Sequence, residues 1–181
     1  MAVATRMSVE EFLARDWPRG TQLIRGEVVL NHPSLLHQLV LGRIYTLLLA
    51  WVEAEPGRGL VALPVDVRLG EELYAPDVWW MREQRLPDRD AKRLEVAPDL
   101  LVEVRSPSTW RFDLGAKRQT YEAAGAAELW LVDTAADSVI IFRRSQEATG
   151  FDVALELSGD DELSSPLLPG FTVPVRRVFD H

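Results

Sequence analysis

The chain has 181 residues, of which 47% are hydrophobic and 27% are charged. These values are ordinary for a globular protein and exclude intrinsic disorder as the main state, and the length suits one domain. The absence of cysteine excludes disulfides, thiolate zinc sites and a cysteine nucleophile, and it fits a reducing cytoplasm. A net charge of −8 argues against a sequence-independent nucleic-acid coat, but it does not exclude an enzyme that cuts nucleic acid.

The charge is unevenly distributed along the chain. Residues 145–165 hold six acids and no base, which accounts for −6 of the total charge. Residues 82–118 hold nine bases and seven acids, so a basic surface is expected there. We expect no membrane association, because the most apolar stretch, 39–52, falls short of the roughly 20 residues that a membrane span needs.

The N-terminal third of the chain carries signals for two helices around a hairpin. Ser8 and Glu11 have the spacing of a capping box and predict a short opening helix. Arg25-Gly26 is typical of a tight turn between two short strands. Ser34 is expected to cap a longer helix over residues 36–54, whose apolar side chains follow the helical period.

Strand signals dominate the rest of the chain. Residues 60–69 carry strand signals, with alternation after Pro64, and residues 82–95 predict a solvated loop or a ragged helix. Further strands are predicted at 78–81, 100–104, 128–132, 138–143 and 151–157, with short extended pieces in the tail. Asp113 is expected to be the N-cap of a helix that ends at Gly125. This order predicts an α/β or α+β fold with a mixed central β-sheet.

Two carboxylates on neighbouring predicted strands are the first candidates for chemistry. The sequence lacks the P-loop, the dinucleotide-binding glycine motif and the zincin motif. Asp77 opens one strand, and Glu103 lies within another. An unpaired Glu103 is costly to bury, so a cation, a metal or a proton must compensate it. A structural ion pair with Arg105 or a lysine explains Glu103 as well as a functional site does.

The helix expected after this glutamate adds a second pattern. Asp113, Lys117 and Tyr121 are spaced by four and therefore lie roughly along one stripe. A capping aspartate, a surface ion pair and a packed tyrosine also explain the pattern, and the residues alone favour that structural explanation. By the same reasoning, His37 is a helix-cap or surface residue and Glu27 is a strand-edge acid.

Several motifs follow one another in order: PDV at 76–78, PDLLVEVRSPST at 98–109, D-x3-K-x3-Y-x3-G at 113–125, and ELWLVD at 128–133. The opening LIRGEVV, the later histidine and the tail PLLPGFTVPV add to them. Together they resemble a restriction endonuclease domain family of the PD-(D/E)XK nuclease superfamily. The resemblance covers essentially the whole chain. It implies one restriction-endonuclease-like domain over residues 1–181, with a mixed central sheet, an N-terminal hairpin and C-terminal strands.

The resemblance also implies a divalent-metal site that hydrolyses phosphodiester bonds in DNA. Asp77 and Glu103 match the metal-binding acids, with Mg²⁺ as the expected ion and Mn²⁺ as a substitute. The position two after Glu103 is Arg105 rather than lysine. The family's lysine position in the following helix falls on Lys117, which is the expected third catalytic residue.

Supporting roles are implied for Glu27, His37, Arg105 and Tyr121. The first two match positions that line the same pocket, and Arg105 is expected to pair with an acid or to hold a phosphate. Gln22 and Arg25 stand at positions where acids are common in the family. Neither is therefore expected to add a metal ligand.

A second class of function stays open, namely a non-catalytic module that keeps the nuclease fold and binds nucleic acid or a protein partner. The acidic net charge and Arg105 favour this alternative. Hydrolysis of another phosphodiester is a third hypothesis. For the nuclease, cutting both strands of a duplex favours a homodimer, and we expect a cytoplasmic location.

Overall fold

The computed structural model describes residues 6–180, which form a mixture of helices and strands. The helical segments are α1 (Val9–Leu13), α2 (Leu35–Glu53), a 3-10 turn (Glu83–Arg85), α3 (Trp110–Phe112), a π-helical segment (Asp113–Lys117), α4 (Arg118–Ala123) and α5 (Arg176–Phe179). The strands are β1 (Thr21–Ile24), β2 (Glu27–Leu30), β3 (Leu60–Ala62), β4 (Asp66–Leu69), β5 (Glu72–Tyr74), β6 (Val78–Met81), β7 (Arg93–Leu94), β8 (Leu100–Val104), β9 (Glu128–Asp133), β10 (Ser138–Arg143), β11 (Val153–Ser158), β12 (Glu162–Ser164) and β13 (Thr172–Pro174).

Most of these strands belong to two sheets. The larger sheet has the order β11-β10-β9-β8-β6-β3, and the smaller sheet has the order β2-β1-β5-β4-β7. In the larger sheet β8 and β9 are parallel, whereas the other neighbours are antiparallel. The last two strands, β12 and β13, form a separate antiparallel pair. This mixed sheet with flanking helices confirms the predicted fold class.

The local signals near the N-terminus are confirmed. The side chains of Ser8 and Glu11 each accept a hydrogen bond from the other residue's backbone amide, which completes the capping box. Arg25 and Gly26 have φ angles of 51° and 76°, the left-handed conformation that a tight two-residue hairpin turn requires. The Ser34 side chain caps α2 by accepting from the amide at position 37.

The strand signals over residues 60–69 correspond to two strands in different sheets, and Pro64, which has no amide to donate, lies between them. Two predictions about elements are wrong. Asp113 is not an N-cap, since the helical run begins at Trp110 and Asp113 is buried within it. The tail is not wholly extended, because it ends in the short helix α5.

Helix α2 has the length that the sequence predicts, 19 residues, but its apolar character extends beyond residues 39–52. It is long and apolar enough to cross a membrane by length and composition alone. In the structure, however, one face of α2 packs into the hydrophobic core against the larger sheet, through Val40, Ile44, Leu48 and Trp51. That packing is what a core helix shows, so the length of α2 does not by itself indicate a membrane span.

The larger sheet buries apolar side chains on both faces, and this positions the candidate site. Val102 and Val104 of β8 belong to the core that contains α2, whereas Leu101 belongs to the core that contains Tyr121 of α4. Because side chains alternate along a strand, Glu103 points to the same face as Leu101. It therefore lies beneath the helical run that follows β8.

Candidate active site

Asp77 and Glu103 lie across from each other on two antiparallel strands. Val78 of β6 pairs with Val102 of β8, and the same register continued by one residue places Asp77 opposite Glu103. Directly opposed residues of an antiparallel pair project to the same face of the sheet. The amide of Val104 donates to Asp77 Oδ2 at 2.7 Å, which ties this carboxylate to β8.

Glu103 is buried and is held by two side chains from the helical run. Lys117 Nζ donates to Glu103 Oε1 at 3.0 Å, and the Tyr121 hydroxyl donates to the same oxygen at 2.6 Å. Both partners are also buried. The lysine alternative for a Glu103 ion pair is therefore the one observed, and the spacing of four does place Lys117 and Tyr121 on one stripe.

Asp113 is a third buried carboxylate, whereas the sequence predicts it as a helix cap or as part of a surface ion pair with Lys117. Its Oδ1 lies 2.9 Å from Lys117 Nζ, and its Oδ2 accepts from the Thr109 hydroxyl at 3.1 Å. It sits in the π-helical segment, a rare conformation that is frequent at functional sites. The D-x3-K spacing of residues 113 and 117 is the one sequence signal for a contact between Asp113 and Lys117 in the site. That spacing predicts a surface ion pair equally well.

His37 lies in the first turn of α2 and contacts the first carboxylate. Its Nε2 is 3.1 Å from Asp77 Oδ2, and its Nδ1 is buried with no hydrogen-bond partner within residues 6–180. Both residues line a cavity of about 840 Å³. Arg15, Trp17 and Arg19, from the connection between α1 and β1, line the same cavity.

Two of the expected supporting residues lie outside this cluster. Nη1 of Arg105 lies 2.8 Å from each carboxylate oxygen of Asp133, so Arg105 pairs with an acid other than Glu103. Glu27 is exposed on β2, and its ion-pair partner within the described residues is Arg111, at 3.9 Å. Glu27 does not line the cavity that holds the histidine, because β2 is the edge strand of the smaller sheet.

The buried charges perturb one another strongly. Burial raises the pKa of Glu103 to about 8; Lys117 opposes this shift, while the charges of Asp113 and Asp77 add to it. Burial likewise raises the pKa of Asp113. Burial alone would lower the pKa of Lys117, but the negative charges of Glu103 and Asp113 outweigh it, so the pKa rises above its ordinary value. Burial therefore makes the carboxyls of Glu103 and Asp113 bind protons more readily than free carboxyls do, while Lys117 keeps its charge more firmly.

This donor set fits a hard divalent cation. Asp77, Glu103 and Asp113 are exposed by 6%, 3% and 1%, and they share one buried lysine. Mg²⁺ prefers oxygen ligands, and one or two protein carboxylates suffice because the ion keeps several waters. Within residues 6–180 no three His, Cys, Asp or Glu side chains are arranged to hold a metal by themselves. Asp77 and Glu103 could thus hold such an ion only together with water or substrate oxygens.

The structure thus brings Asp77 and Glu103 together on neighbouring strands of a mixed sheet, with Lys117 from the helical run beside Glu103, as the resemblance implies. The family profile described as "Uma2: Putative restriction endonuclease" matches residues 9–176, so the chain belongs to this family. No curated protein matches the chain at a significant level.

A solved structure confirms the fold. The chain is similar to "a putative nuclease belonging to DUF820" from Anabaena variabilis ATCC 29413, with a TM-score of 0.83. The two share 18% sequence identity over 96% of this chain and 97% of that one. At this identity the similarity establishes the fold alone, and the roles of the site residues stay predictions.

Proposed function

We propose that the protein is a metal-dependent endonuclease that hydrolyses phosphodiester bonds in DNA, and that residues 1–181 act as one nuclease domain. Asp77 and Glu103 would hold Mg²⁺, with Mn²⁺ as a substitute, and Lys117 would act on the scissile phosphate. The observation that carries this proposal is the buried cluster of these three side chains in a member of a restriction endonuclease family.

Each side chain of the cluster has a distinct task in this proposal. When bound, the ion polarises the phosphate and activates a water for attack. Asp77 is oriented by the Val104 amide and by His37, so its position does not depend on the ion. Lys117 keeps its proton, because its pKa is raised, and can stabilise the negative charge that develops on the phosphate. Tyr121 fixes Glu103 through Oε1.

The basic side chains of residues 82–118 are of two kinds: some are paired with buried groups of the fold, and others are exposed to solvent. Arg82 and Arg85 donate to the buried carboxylate of Asp99, so they stabilise the fold. Arg111 is exposed; its guanidinium lies 4.4 Å from the centre of the Phe112 ring and 3.9 Å from the exposed acid Glu27. In the proposed function Arg111 would contact the phosphate backbone.

Cleavage of plasmid and single-stranded DNA with Mg²⁺ or Mn²⁺ tests the proposal. The wild-type protein should cleave, and the variants Asp77→Ala and Glu103→Ala should lose cleavage while they stay folded. Glu147→Ala, which removes an exposed acid far along the chain, is the matched control and should cleave at the wild-type rate. Folded wild-type protein that cleaves no DNA with either metal would contradict the proposal.

A second candidate function is a non-catalytic module that binds a partner. The net charge of −8, and a lysine that already neutralises part of the acid cluster, favour it. Calorimetric titration with Mn²⁺ separates the two candidates. Metal binding that is abolished by Asp77→Ala and Glu103→Ala supports the nuclease, whereas no metal binding supports the module.

We further propose that the nuclease is a homodimer in the cytoplasm. Cutting both strands of a duplex usually needs two active sites, which two copies of the chain would supply. The cytoplasmic location is supported by the absence of cysteine from the sequence.

A further inference from the structure

Lys117 lies between two buried acids rather than beside one. Its Nζ is 3.0 Å from Glu103 Oε1 and 2.9 Å from Asp113 Oδ1. The lysine is only 1% exposed, so water cannot replace either partner. The ammonium therefore bridges an acid proposed to bind metal and an acid from its own helical run.

A divalent ion on Glu103 would change this balance. The ion and the ammonium carry like charges and would be only a few ångströms apart, where repulsion in a buried site is strong. A buried ammonium without a partner is costly, and Lys117 has no route to solvent in this structure. Asp113 is already within ion-pair distance, so Lys117 keeps one partner after it gives up Glu103.

Asp113 is held in place independently of Glu103. The Thr109 hydroxyl donates to Asp113 Oδ2, and the Thr109 hydroxyl also lies 2.8 Å from the hydroxyl of Ser106. All three residues are buried. Asp113 is thus a fixed acidic partner of Lys117 that belongs to the helical run rather than to the strand.

We infer that Lys117 is the built-in counter-cation of this site and that Asp113 is a positioning residue, which retains Lys117 when a divalent ion takes its place on Glu103. The inference rests on the proposed function, because it takes Asp77 and Glu103 as the metal ligands. In the metal-free protein Lys117 satisfies Glu103, and in the metal-bound protein it is held by Asp113 beside the scissile phosphate.

Metal affinity measured in a double-mutant cycle tests the inference. Asp113→Asn should weaken Mn²⁺ binding by about tenfold, because Lys117 then has only Glu103 as a charged partner and competes harder with the ion. Lys117→Met, which removes the competitor but keeps the volume, should strengthen Mn²⁺ binding. In the Lys117→Met background Asp113→Asn should change the affinity by less than about twofold, because the residue acts through the lysine.

Isothermal titration calorimetry with Mn²⁺ alone gives the four affinities without reference to cleavage. Asp133→Asn, which neutralises the partner of Arg105 outside the cluster, is the matched control and should leave the affinity unchanged. An equal loss from Asp113→Asn in both backgrounds would overturn the inference, since Asp113 would then act directly on the ion. Should Asp113→Asn fail to fold, Thr109→Val, which removes the hydrogen bond that holds Asp113, should weaken binding in the same lysine-dependent way, and an unchanged affinity would overturn the inference.

The cycle also distinguishes the two levels of the proposal. The proposed function fails if the folded wild-type protein binds no Mn²⁺, or if the Mn²⁺ that it binds is still bound by Asp77→Ala. If that binding is present but the effects of Asp113→Asn are additive, only the role of Asp113 fails.

Discussion

Lys117 and Arg105 are the two cations that the sequence offers as partners of Glu103, and in the structure they have different contacts. Lys117 contacts Glu103 directly, whereas Arg105 contacts Asp133 and lies over the ring of Trp110 at 5.4 Å. A lysine is a compact point charge suited to the side of a metal-bound phosphate, and an arginine is a planar fork suited to a carboxylate. In the structure Arg105 is already paired with a carboxylate, whereas Lys117 lies beside the acid proposed to bind the metal.

This difference predicts distinct effects of substitution. Lys117→Ala should lower the single-turnover cleavage rate by about 10²-fold or more without weakening Mn²⁺ binding, because it removes stabilisation of transition-state charge. Arg105→Ala should act on DNA affinity or stability, since its partner is Asp133. The assignment is reversed if Lys117→Ala cleaves at the wild-type rate while folded Arg105→Ala is inactive.

Glu103 also makes the stability of the metal-free protein depend on pH. Burial raises its pKa from 4.5 to about 8, so folding favours the protonated carboxyl. The stabilisation is complete below pH 4.5 and is lost as the pH rises through about 8. Over this window the free energy of unfolding should fall by at most about 1.4 kcal/mol per pH unit. Urea unfolding in the presence of a chelator measures it.

The variant Glu103→Gln isolates this effect, because it keeps the shape of the side chain and removes the titrating group. Its free energy of unfolding should be flatter than that of the wild type between about pH 5 and about pH 8. Glu147→Gln, at an exposed acid, is the control and should keep the wild-type slope. A slope in Glu103→Gln equal to that of the wild type would show that another group titrates.

At the scale of elements, α2 contributes to the site through its first turn. The Ser34 cap fixes the start of α2 and so places His37 against Asp77. Partners that orient a metal ligand typically contribute 10- to 100-fold to metal affinity. His37→Ala should therefore weaken Mn²⁺ binding by at least about tenfold in calorimetry. Gln38→Ala, at the exposed next position of α2, is the control and should leave Mn²⁺ binding unchanged. Equal effects of the two substitutions would show that His37 does not orient Asp77.

The elements also show what the sequence could and could not predict. Helix α2, the hairpin turn and β8 were predictable because their signals are local: a serine cap, Arg25-Gly26 and the apolar run LLVEV. The family motifs predicted Asp77, Glu103 and Lys117 as residues of the candidate site. The contact of His37 with Asp77 depends on how α2 packs against the strands, and no local pattern encodes it.

Asp113 illustrates the same limit more sharply. Its sequence context fits an N-cap, because an aspartate followed by a helical run commonly caps that run. The helical run begins earlier, at Trp110, and a π-helical turn then carries the aspartate into the buried cluster. A hydrogen-bond pattern of i to i+5 leaves no clear mark on side-chain periodicity, so the burial of Asp113 could not be predicted.

At the scale of the whole molecule, two apolar elements could join copies of the chain, the long helix α2 and the hairpin of β9 and β10, and they differ in exposure. Strand β9 is largely buried, and β10 is covered at its edge by β11. By contrast, Leu35 and Leu39 at the start of α2 are 76% and 45% exposed. If the protein is a dimer, these exposed leucines favour this end of α2 over the β9–β10 hairpin as the interface.

An interface at this end of α2 predicts that the oligomeric state determines which DNA product is formed. Two copies joined near their sites should convert supercoiled plasmid to linear DNA, because both strands are cut in one encounter. Leu35→Glu with Leu39→Glu should give a monomer in light scattering that nicks plasmid and forms linear DNA only slowly. Leu155→Glu, at an exposed leucine on β11, is the control and should behave as the wild type. Wild-type protein that is strictly monomeric at micromolar concentration would remove the homodimer, and the nuclease would then cut one strand at a time.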